Sequence, residues 1–187
     1  MIKNIAVYCA SSNRIDTIYF HEAEVLGSML GQRAIHMING AGNIGLMRAI
    51  TDAVLSTGGT VTGVIPQFMV DRGLCHQRLT TVIQTQTMHE RKKMMADLSD
   101  AVIALPGGYG TMEELLEIIT WRQLGLYKNP IIILNTNNFY GSLLDMFSRI
   151  VSEHFVRDEH VQLWQVAQTP QEVIDLIDRA TNDDTTN

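Results

Sequence analysis

Short apolar runs alternate along this 187-residue chain with longer segments in which apolar residues recur at helical spacing. Two of the runs, residues 101–105 and 130–134, are almost wholly apolar, which is typical of strands buried on both faces of a parallel sheet. Strands that alternate with helices predict a parallel sheet covered by helices on both sides. The sequence therefore predicts the α/β class, with a doubly wound parallel sheet.

These patterns predict seven strands and six helices, and the glycine pair Gly58 and Gly59 ends the second helix. Residues 67–77 show no clear period. The strands are predicted over residues 5–9, 35–38, 61–65, 79–84, 101–105, 130–134 and 161–167. Helices are predicted over residues 19–30, 46–54, 88–99 and 143–151. A further helix is predicted to follow the turn at 106–111 and to run through residue 124. A capping box from Thr169 to Glu172 opens the last helix.

Chain length limits the number of domains. At roughly 150 residues per domain, residues 1–180 are predicted to form a single domain. The last segment, residues 181–187, is polar and shows no periodicity, so we expect a disordered tail there.

The charge balance narrows the classes of partner. Fourteen basic residues against 20 acidic residues give a net charge of −6. This balance argues against a nucleic-acid-binding protein and against a protein that binds anionic membranes. Charged residues make up 18% of the chain, below the ~25% of typical soluble domains, as expected for a surface partly covered in an oligomer.

The cysteine content and the apolar runs indicate the compartment. Only two cysteines, Cys9 and Cys75, are present, which excludes a disulfide framework and fits a reducing compartment. The first residues lack the long apolar stretch of a signal peptide, and no segment approaches the ~18 unbroken apolar residues of a membrane span. We therefore expect a cytoplasmic protein.

A glycine-rich segment, residues 106–114, follows the buried strand over 101–105 and opens a helix. Glycine lets the backbone approach a ligand closely, and the start of a helix offers unpaired N–H groups that suit a phosphate. We expect Thr111 to cap this helix and to donate to the phosphate. The pattern leaves open both phosphate binding and a purely structural turn, in which Glu113 and Glu114 only favour the helix dipole.

A second loop, residues 40–45, spells Gly-x-Gly-x-x-Gly between a strand and a helix, with Gly42 as its middle glycine. A dinucleotide site requires an acidic residue at the end of the next strand, and none follows near residues 63–65. The loop is therefore interpreted as a mononucleotide-phosphate or packing element rather than as a nicotinamide dinucleotide site.

Residues 88–93 concentrate His89, Glu90 and three of the fourteen basic residues in a turn and a half of helix. One interpretation is a solvated helix start in which Glu90 pairs with Lys93. The other is a phosphate or nucleotide pocket, which such a concentration of cations would suit.

Other chemistry-bearing patterns are weak. The six histidines and two cysteines lack the spacing of a zinc site, so no metal is predicted. Ser11 and Ser12 suit either a phosphate contact or a turn cap. No Gly-x-Ser-x-Gly elbow indicates a serine hydrolase.

Two motifs in this order, MHERK at residues 88–92 and PGGYGTMEE at 106–114, resemble those of the Lonely Guy family of nucleotide phosphoribohydrolases, first associated with cytokinin activation. GVIP at 63–66 and TWRQLG at 120–125 support the resemblance, which covers residues from about 5 to about 155. It implies a Rossmann-like fold, no metal or organic cofactor, and a homodimer with the pocket completed near the subunit interface. The family is often labelled lysine decarboxylase, a chemistry against which the short chain and its four lysines argue.

The resemblance implies hydrolysis of the N-glycosidic bond of an adenosine 5′-monophosphate, plain or N6-modified, to the free base and ribose 5-phosphate. Arg91 and Glu114 match the family's catalytic pair. Glu114 is expected to activate water or stabilise an oxocarbenium-like transition state, and Arg91 to position ribose and phosphate. The expected phosphate and nucleotide contacts are Gly107, Gly108, Gly110, Thr111, Lys92, Thr120, Ser12 and Gly42.

Three places depart from the family pattern. Residues 39–42 read Asn-Gly-Ala-Gly where Tyr-Gly-Gly-Gly is usual, Arg48 stands in place of a glycine, and Gly73 stands where a glutamate is often found. These differences bear on substrate preference more than on reaction type.

Two other functions stay open at this point. One is a nucleotide-binding or molybdenum-cofactor carrier protein of the same fold without turnover, and the other is a nucleotide nucleosidase of broad base specificity used for salvage. Retention of both Arg91 and Glu114 favours the enzyme, because a binding protein has no need of a carboxylate beside a phosphate that it repels.

Overall fold

The computed structural model describes residues 1–184, which form a sheet of seven parallel strands in the order β4-β3-β2-β1-β5-β6-β7. The predicted α/β class and its parallel sheet are confirmed. The strands are β1 Asn4–Tyr8, β2 His36–Asn39, β3 Val61–Pro66, β4 Thr81–Thr85, β5 Ala101–Ala104, β6 Ile131–Leu134 and β7 Gln165–Ala167.

Helices cover both faces of the sheet and bury a separate apolar core on each. One core joins the strands to α1, α2 and α7 through side chains such as Leu26, Ile50 and Ile174. The other joins them to α4, α5 and α6 through side chains such as Met95 and Ile118. The helices are α1 Thr17–Gln32, α2 Gly45–Ser56, α3 Gln67–Asp71, α4 Met88–Asp97, α5 Tyr109–Gln123, α6 Gly141–Ser152 and α7 Pro170–Asp184.

The strand order determines where a crevice opens at the carboxyl ends of the strands. The chain runs outward from β1 through β2 and β3 to β4, then returns to the other side of β1 with β5, so the order reverses between β1 and β5. In open parallel sheets a crevice opens at such a reversal, beyond the carboxyl ends of the strands. The loops that follow β1, β2 and β5 therefore border one crevice.

One predicted strand is shorter than expected. The prediction of a strand over residues 161–167 is wrong for its first part, because a 3-10 turn occupies Asp158–Gln162 and β7 begins only at Gln165. Leu163 and Trp164 supplied the apolar signal, but they pack against the core beside α6, where the rings of Trp164 and Phe147 lie 4.7 Å apart. In the unassigned stretch 67–77, α3 forms a single short helix.

Several helix ends also differ from the prediction. Helix α5 begins at Tyr109 with Gly108 as its N-cap, so Thr111 lies inside the first turn and does not cap it. Glu90 accepts a hydrogen bond from the Gln86 amide in a capping interaction and does not pair with Lys93.

The last helix, α7, extends further toward the C-terminus than the sequence predicts. The prediction of a disordered tail over 181–187 does not hold for residues 181–184, which extend α7, and residues 185–187 lie outside the described part of the chain. Among the described residues, no helix is long and apolar enough to cross a membrane.

Candidate active site

A cleft of about 320 Å³ opens where the sheet order reverses, within the ~300–1,000 Å³ typical of small-molecule sites. The loops after β1, β2 and β5 border it, as do the side chains of α4 and α5. Its lining includes Tyr8, Cys9, Ser11, Gly40, Gly42, Asn43, Ile44, Met47, Met69, Leu74, Arg91, Met95, Gly108, Tyr109, Gly110, Thr111 and Glu114.

A buried ion pair lies in the wall of this cleft. Arg91 on α4 and Glu114 on α5 meet with Nη1 and Oε1 3.1 Å apart, and only 6% and 9% of the two residues is exposed. Arg91 Nε also donates to the carbonyl oxygen of Val64 at 3.0 Å. The structure thus brings together the two residues that the family resemblance selected as a catalytic pair.

The surroundings of Glu114 raise its pKa above the ordinary value. Burial of the carboxyl group is the largest cause, and the neighbouring charge of Glu113 acts in the same direction. The Arg91 guanidinium opposes both effects and favours the carboxylate. A carboxyl group held between these influences is suited to take a proton during a reaction.

Gly40 leaves the space that the Arg91 guanidinium occupies. A methyl group added at Gly40 would overlap Arg91 Nη2. The neighbouring loop is fixed by Asn39, whose Oδ1 accepts a hydrogen bond from the Ala41 amide at 2.9 Å and whose amide group donates to Thr51 Oγ1 at 2.8 Å. Ala41 has a φ of 59°, in the region that favours glycine, which agrees with the glycine usual in the family at this position.

The start of α5 offers free N–H groups to the cleft. In residues 1–184 the amides of Tyr109, Gly110 and Thr111 donate no hydrogen bond, and Gly108 supplies no side-chain cap. Such a helix start carries a partial positive charge and is suited to an anion. The glycine at 107 lets the loop pack closely, because a methyl group there would overlap Thr111 Oγ1.

The start of α2 is different, because its own loop already uses the amides. Gly45 N donates to Asn13 Oδ1 at 2.8 Å, and Leu46 N and Met47 N donate to the carbonyl oxygen of Ala10 at 2.9 and 3.3 Å. Gly42 lines the cleft beside this loop. The Gly-x-Gly-x-x-Gly segment therefore shapes the cleft wall, and the open helix start belongs to α5.

Four of the predicted contact residues are not among those that line the cleft: Gly107, Lys92, Thr120 and Ser12. The ammonium of Lys92 is buried against α5, where it pairs with Glu113 and Glu117. Burial alone would lower its pKa, but the hydrogen bonds to the two carboxylates outweigh that effect and raise it.

Gly107 lies in the loop before α5, and Thr120 and Ser12 lie at the surface. Thr120 Oγ1 donates to the carbonyl oxygen of Leu116 on the outer face of α5, and this face borders a separate groove. Ser12 Oγ accepts a hydrogen bond from the Arg14 amide at 3.2 Å, while its neighbour Ser11 lines the cleft.

Sequence reasoning missed the side chains that line the rest of the cleft. Tyr8 and Cys9 follow each other at the end of β1, and burial followed by the charge of Glu114 raises both pKa values, so both groups stay neutral. Met69 and Leu74 come from the stretch 67–77, which showed no period in the sequence. These groups give the cleft a neutral, largely apolar wall beside the ion pair.

The segment after α3 is tied to the cleft loop by several contacts. His76 N donates to the Ala41 carbonyl oxygen at 2.8 Å, and the His76 ring contacts Asp52 Oδ1 at 3.0 Å. Gly73, with a φ of 69°, stands in open space where the family often has glutamate. Arg48, the other departure, pairs with Asp52 at the surface and does not line the cleft.

No group of three or more His, Cys, Asp or Glu side chains in residues 1–182 could hold a metal ion. The cleft combines a buried ion pair, a neutral wall and the free amides of α5. Together these parts suit a ligand that has an anionic end and an apolar or aromatic end.

Comparison with known proteins identifies relatives of this chain. A family model described as "possible lysine decarboxylase" matches residues 47–177. The chain is 41% identical over 172 residues to the cytokinin riboside 5′-monophosphate phosphoribohydrolase LOG of Oryza sativa subsp. japonica, covering 92% of this chain and 71% of the relative. It is 40% identical over 176 residues to the phosphoribohydrolase LOG2 of Arabidopsis thaliana, covering 94% and 83%.

Solved structures show the same fold. A molybdenum cofactor binding protein from Rippkaea orientalis matches with a TM-score of 0.73 at 19% identity, covering 96% of this chain and 97% of the other. The molybdenum cofactor carrier protein MCP of Chlamydomonas reinhardtii matches with a TM-score of 0.74 at 18% identity, covering 97% and 99%. At these identities the likeness concerns the fold alone.

The contact between Gly40 and Arg91 gives a first prediction. We expect Gly40→Ala to lower the free energy of unfolding by ~1–3 kcal/mol, because the added methyl group displaces a buried guanidinium. In an Arg91→Ala background the same methyl group should cost much less. Urea unfolding of the four proteins in this double-mutant cycle measures the coupling, and additive effects would contradict the proposed overlap.

Proposed function

The chain belongs to the family described as possible lysine decarboxylase, which includes the cytokinin riboside 5′-monophosphate phosphoribohydrolases, and from this membership we propose that it hydrolyses the N-glycosidic bond of adenosine 5′-monophosphates. The products are the free base, adenine or an N6-modified adenine, and ribose 5-phosphate. The observation that carries the proposal is the buried pair of Arg91 and Glu114 beside the free amides of α5.

The proposed mechanism assigns one task to each part of the cleft. The 5′-phosphate binds at the start of α5, through the amides of the loop 107–111 and the hydroxyl of Thr111. Cleavage of the bond between C1′ and the base nitrogen develops positive charge on the ribose, which the Glu114 carboxylate stabilises. The base leaves with the electron pair of that bond and gains a proton from solvent water, while Glu114 takes a proton from the water that attacks C1′ and later returns it to solvent.

Arg91 has two tasks in this scheme. Its guanidinium, with Nη1 3.1 Å from Glu114 Oε1, favours the ionised form of Glu114. The same guanidinium positions the ribose and phosphate beside that carboxylate. The base lies against the neutral wall formed by side chains such as Met69 and Leu74. An apolar wall of this kind would accept an N6-prenyl group as well as the unmodified purine.

The cleft favours hydrolysis over decarboxylation and over a carrier function without turnover. None of the residues that line it in residues 1–184 is a lysine, although an amino-acid decarboxylase that uses pyridoxal phosphate needs one. A carrier without turnover would be weakened by Glu114, because a carboxylate repels the phosphate that it would have to hold. A nucleosidase of broad base specificity differs from the proposed enzyme only in the bases that it accepts. Measuring base release from several nucleotides distinguishes the two.

We also propose a homodimer formed through the outer face of α5. Met112 and Leu116 lie one helical turn apart on this face, Trp121 borders the same groove, and Leu116 is 43% exposed. Tyr109 is 97% exposed and borders both this face and the cleft, so a second subunit docked here would lie beside the cleft. Thr120 lies on the same face, and we propose that it acts in the assembled dimer.

Two broader expectations also stand as proposals. Residues 1–180 act as a single nucleotide-binding domain, supported by the continuous sheet that they share. The protein acts in the cytoplasm, supported by its two free thiols, Cys9 and Cys75.

The central test is the release of base from AMP and from isopentenyl-AMP, followed by chromatography. We expect wild type to release base and Glu114→Gln to lose ~10²–10⁴-fold in kcat, because the carboxylate acts on the reacting atoms. Glu113→Gln is the matched control, since it neutralises the exposed neighbour and should retain most activity. Circular dichroism checks the fold of both variants, and equal losses in the two would contradict the role of Glu114.

The raised pKa of Glu114 predicts the pH dependence of the reaction. Because the carboxylate is the active form, kcat should rise with pH and reach half its plateau above pH ~4.3, the ordinary glutamate pKa. The charge of Glu113 contributes to this rise in pKa, so Glu113→Gln should move the acid limb to lower pH. An acid limb that stays in place in Glu113→Gln would assign it to another group.

The dimer is tested by light scattering coupled to size-exclusion chromatography. We expect the wild-type mass to correspond to two chains and that of Leu116→Arg to one chain, because an unpaired charge is costly in an apolar interface. Phe155→Arg, at a side chain that is 77% exposed and does not border the groove on α5, is the control and should remain dimeric. A monomeric wild type would overturn the assembly.

A further inference from the structure

A second cavity, of about 360 Å³, lies at the opposite end of the strands from the cleft. It borders the start of β6 and the start of β7, whereas the cleft lies beyond the carboxyl ends of the strands. The end of α5 and the end of α7 close its sides. Its lining includes Arg122, Lys128, Asn129, Gln162, Trp164, Gln165 and Arg179.

The charged side chains in this cavity all have the same sign. Arg122, Lys128 and Arg179 line it, and none of the residues that line it in the described chain is an aspartate or glutamate. Elsewhere in residues 1–182 eight lysine or arginine side chains form ion pairs with carboxylates, but these three form none. Three unpaired cations in one cavity are unusual in a chain with a net charge of −6.

Arg122 shows that part of this positive charge is removed from water. Burial lowers the pKa of its guanidinium, and Nη1 donates to the carbonyl oxygen of Asn129 at 2.6 Å. The other N–H groups of the guanidinium donate to no protein atom in residues 1–182. A guanidinium that is fixed at one nitrogen and open at the others is prepared to bind an oxyanion.

We propose that this cavity binds a small phosphorylated metabolite that carries two or more negative charges. Arg122 and Arg179 would bind its phosphate oxygens through their planar guanidinium groups, and Lys128 would add a point charge. The amide side chains of Gln162 and Gln165 supply neutral donors and acceptors for the remainder of the ligand. The volume of about 360 Å³ limits the ligand to a small molecule.

The site is independent of the proposed hydrolase activity. It shares no lining residue with the cleft, and none of its cations contacts Arg91 or Glu114. Its test is therefore a binding measurement whose result does not depend on whether the protein releases base.

The experiment titrates the full chain with sodium tripolyphosphate at constant ionic strength and follows tryptophan fluorescence. Trp164 lines the cavity, so a bound anion should change its emission, and a Trp164→Phe variant should lose that signal. We expect saturable binding that weakens at least tenfold in Arg122→Gln and in Arg179→Gln. AMP and ribose 5-phosphate are titrated in parallel to distinguish nucleotides from sugar phosphates.

Two further variants control for folding and for general charge effects. Lys128→Gln removes an exposed cation that forms no hydrogen bond or ion pair in the described chain, so it should fold normally and still weaken binding. Arg149→Gln removes one positive charge from a surface ion pair with Glu153 and should bind as wild type does. Absence of saturable binding, or equal weakening in Arg149→Gln, would overturn the proposal.

Discussion

The buried ion pair between Arg91 and Glu114 is the interaction on which the site depends. Removing two charges from water costs several kcal/mol per ion in a protein, and the pair is tolerated only where the remaining donors and acceptors are satisfied. The Val64 carbonyl oxygen accepts from Arg91 Nε, and Gly40 leaves room for the rest of the guanidinium. The end of β3 and the loop after β2 are thus adapted to one side chain on α4.

Local sequence patterns predicted most of the fold because strands and helices have short periods. They could not predict the meeting of residues 91 and 114, which depends on how two helices pack and came from the family resemblance. Lys92 follows Arg91 directly, but consecutive side chains on a helix point ~100° apart, so it faces α5 and not the cleft. Thr120 faces outward for the same reason, since its position on α5 is not in phase with Glu114.

The failures of prediction occurred where an apolar residue packs without a regular period. Trp164 and Leu163 looked like part of a strand, yet they pack against α6 from an irregular segment. Met69 and Leu74 line the cleft from a stretch in which the sequence shows no pattern. Single contacts of this kind depend on tertiary structure, so composition and spacing contain no signal for them.

The charges in the cleft suggest how an acidic protein can bind a phosphate and release it again. Arg91 is the only cation among the residues that line the cleft in the described chain, and Glu114 neutralises it. A phosphate at the start of α5 would therefore be bound chiefly by amide dipoles and a hydroxyl, and it would share the charge of Arg91 with Glu114. Such binding is weaker than a set of free cations would give, which suits a product that must leave. The cations of the cavity at the other end of the strands are not neutralised by carboxylates. The cavity would therefore bind its anion through full positive charges, and the cleft chiefly through amide dipoles.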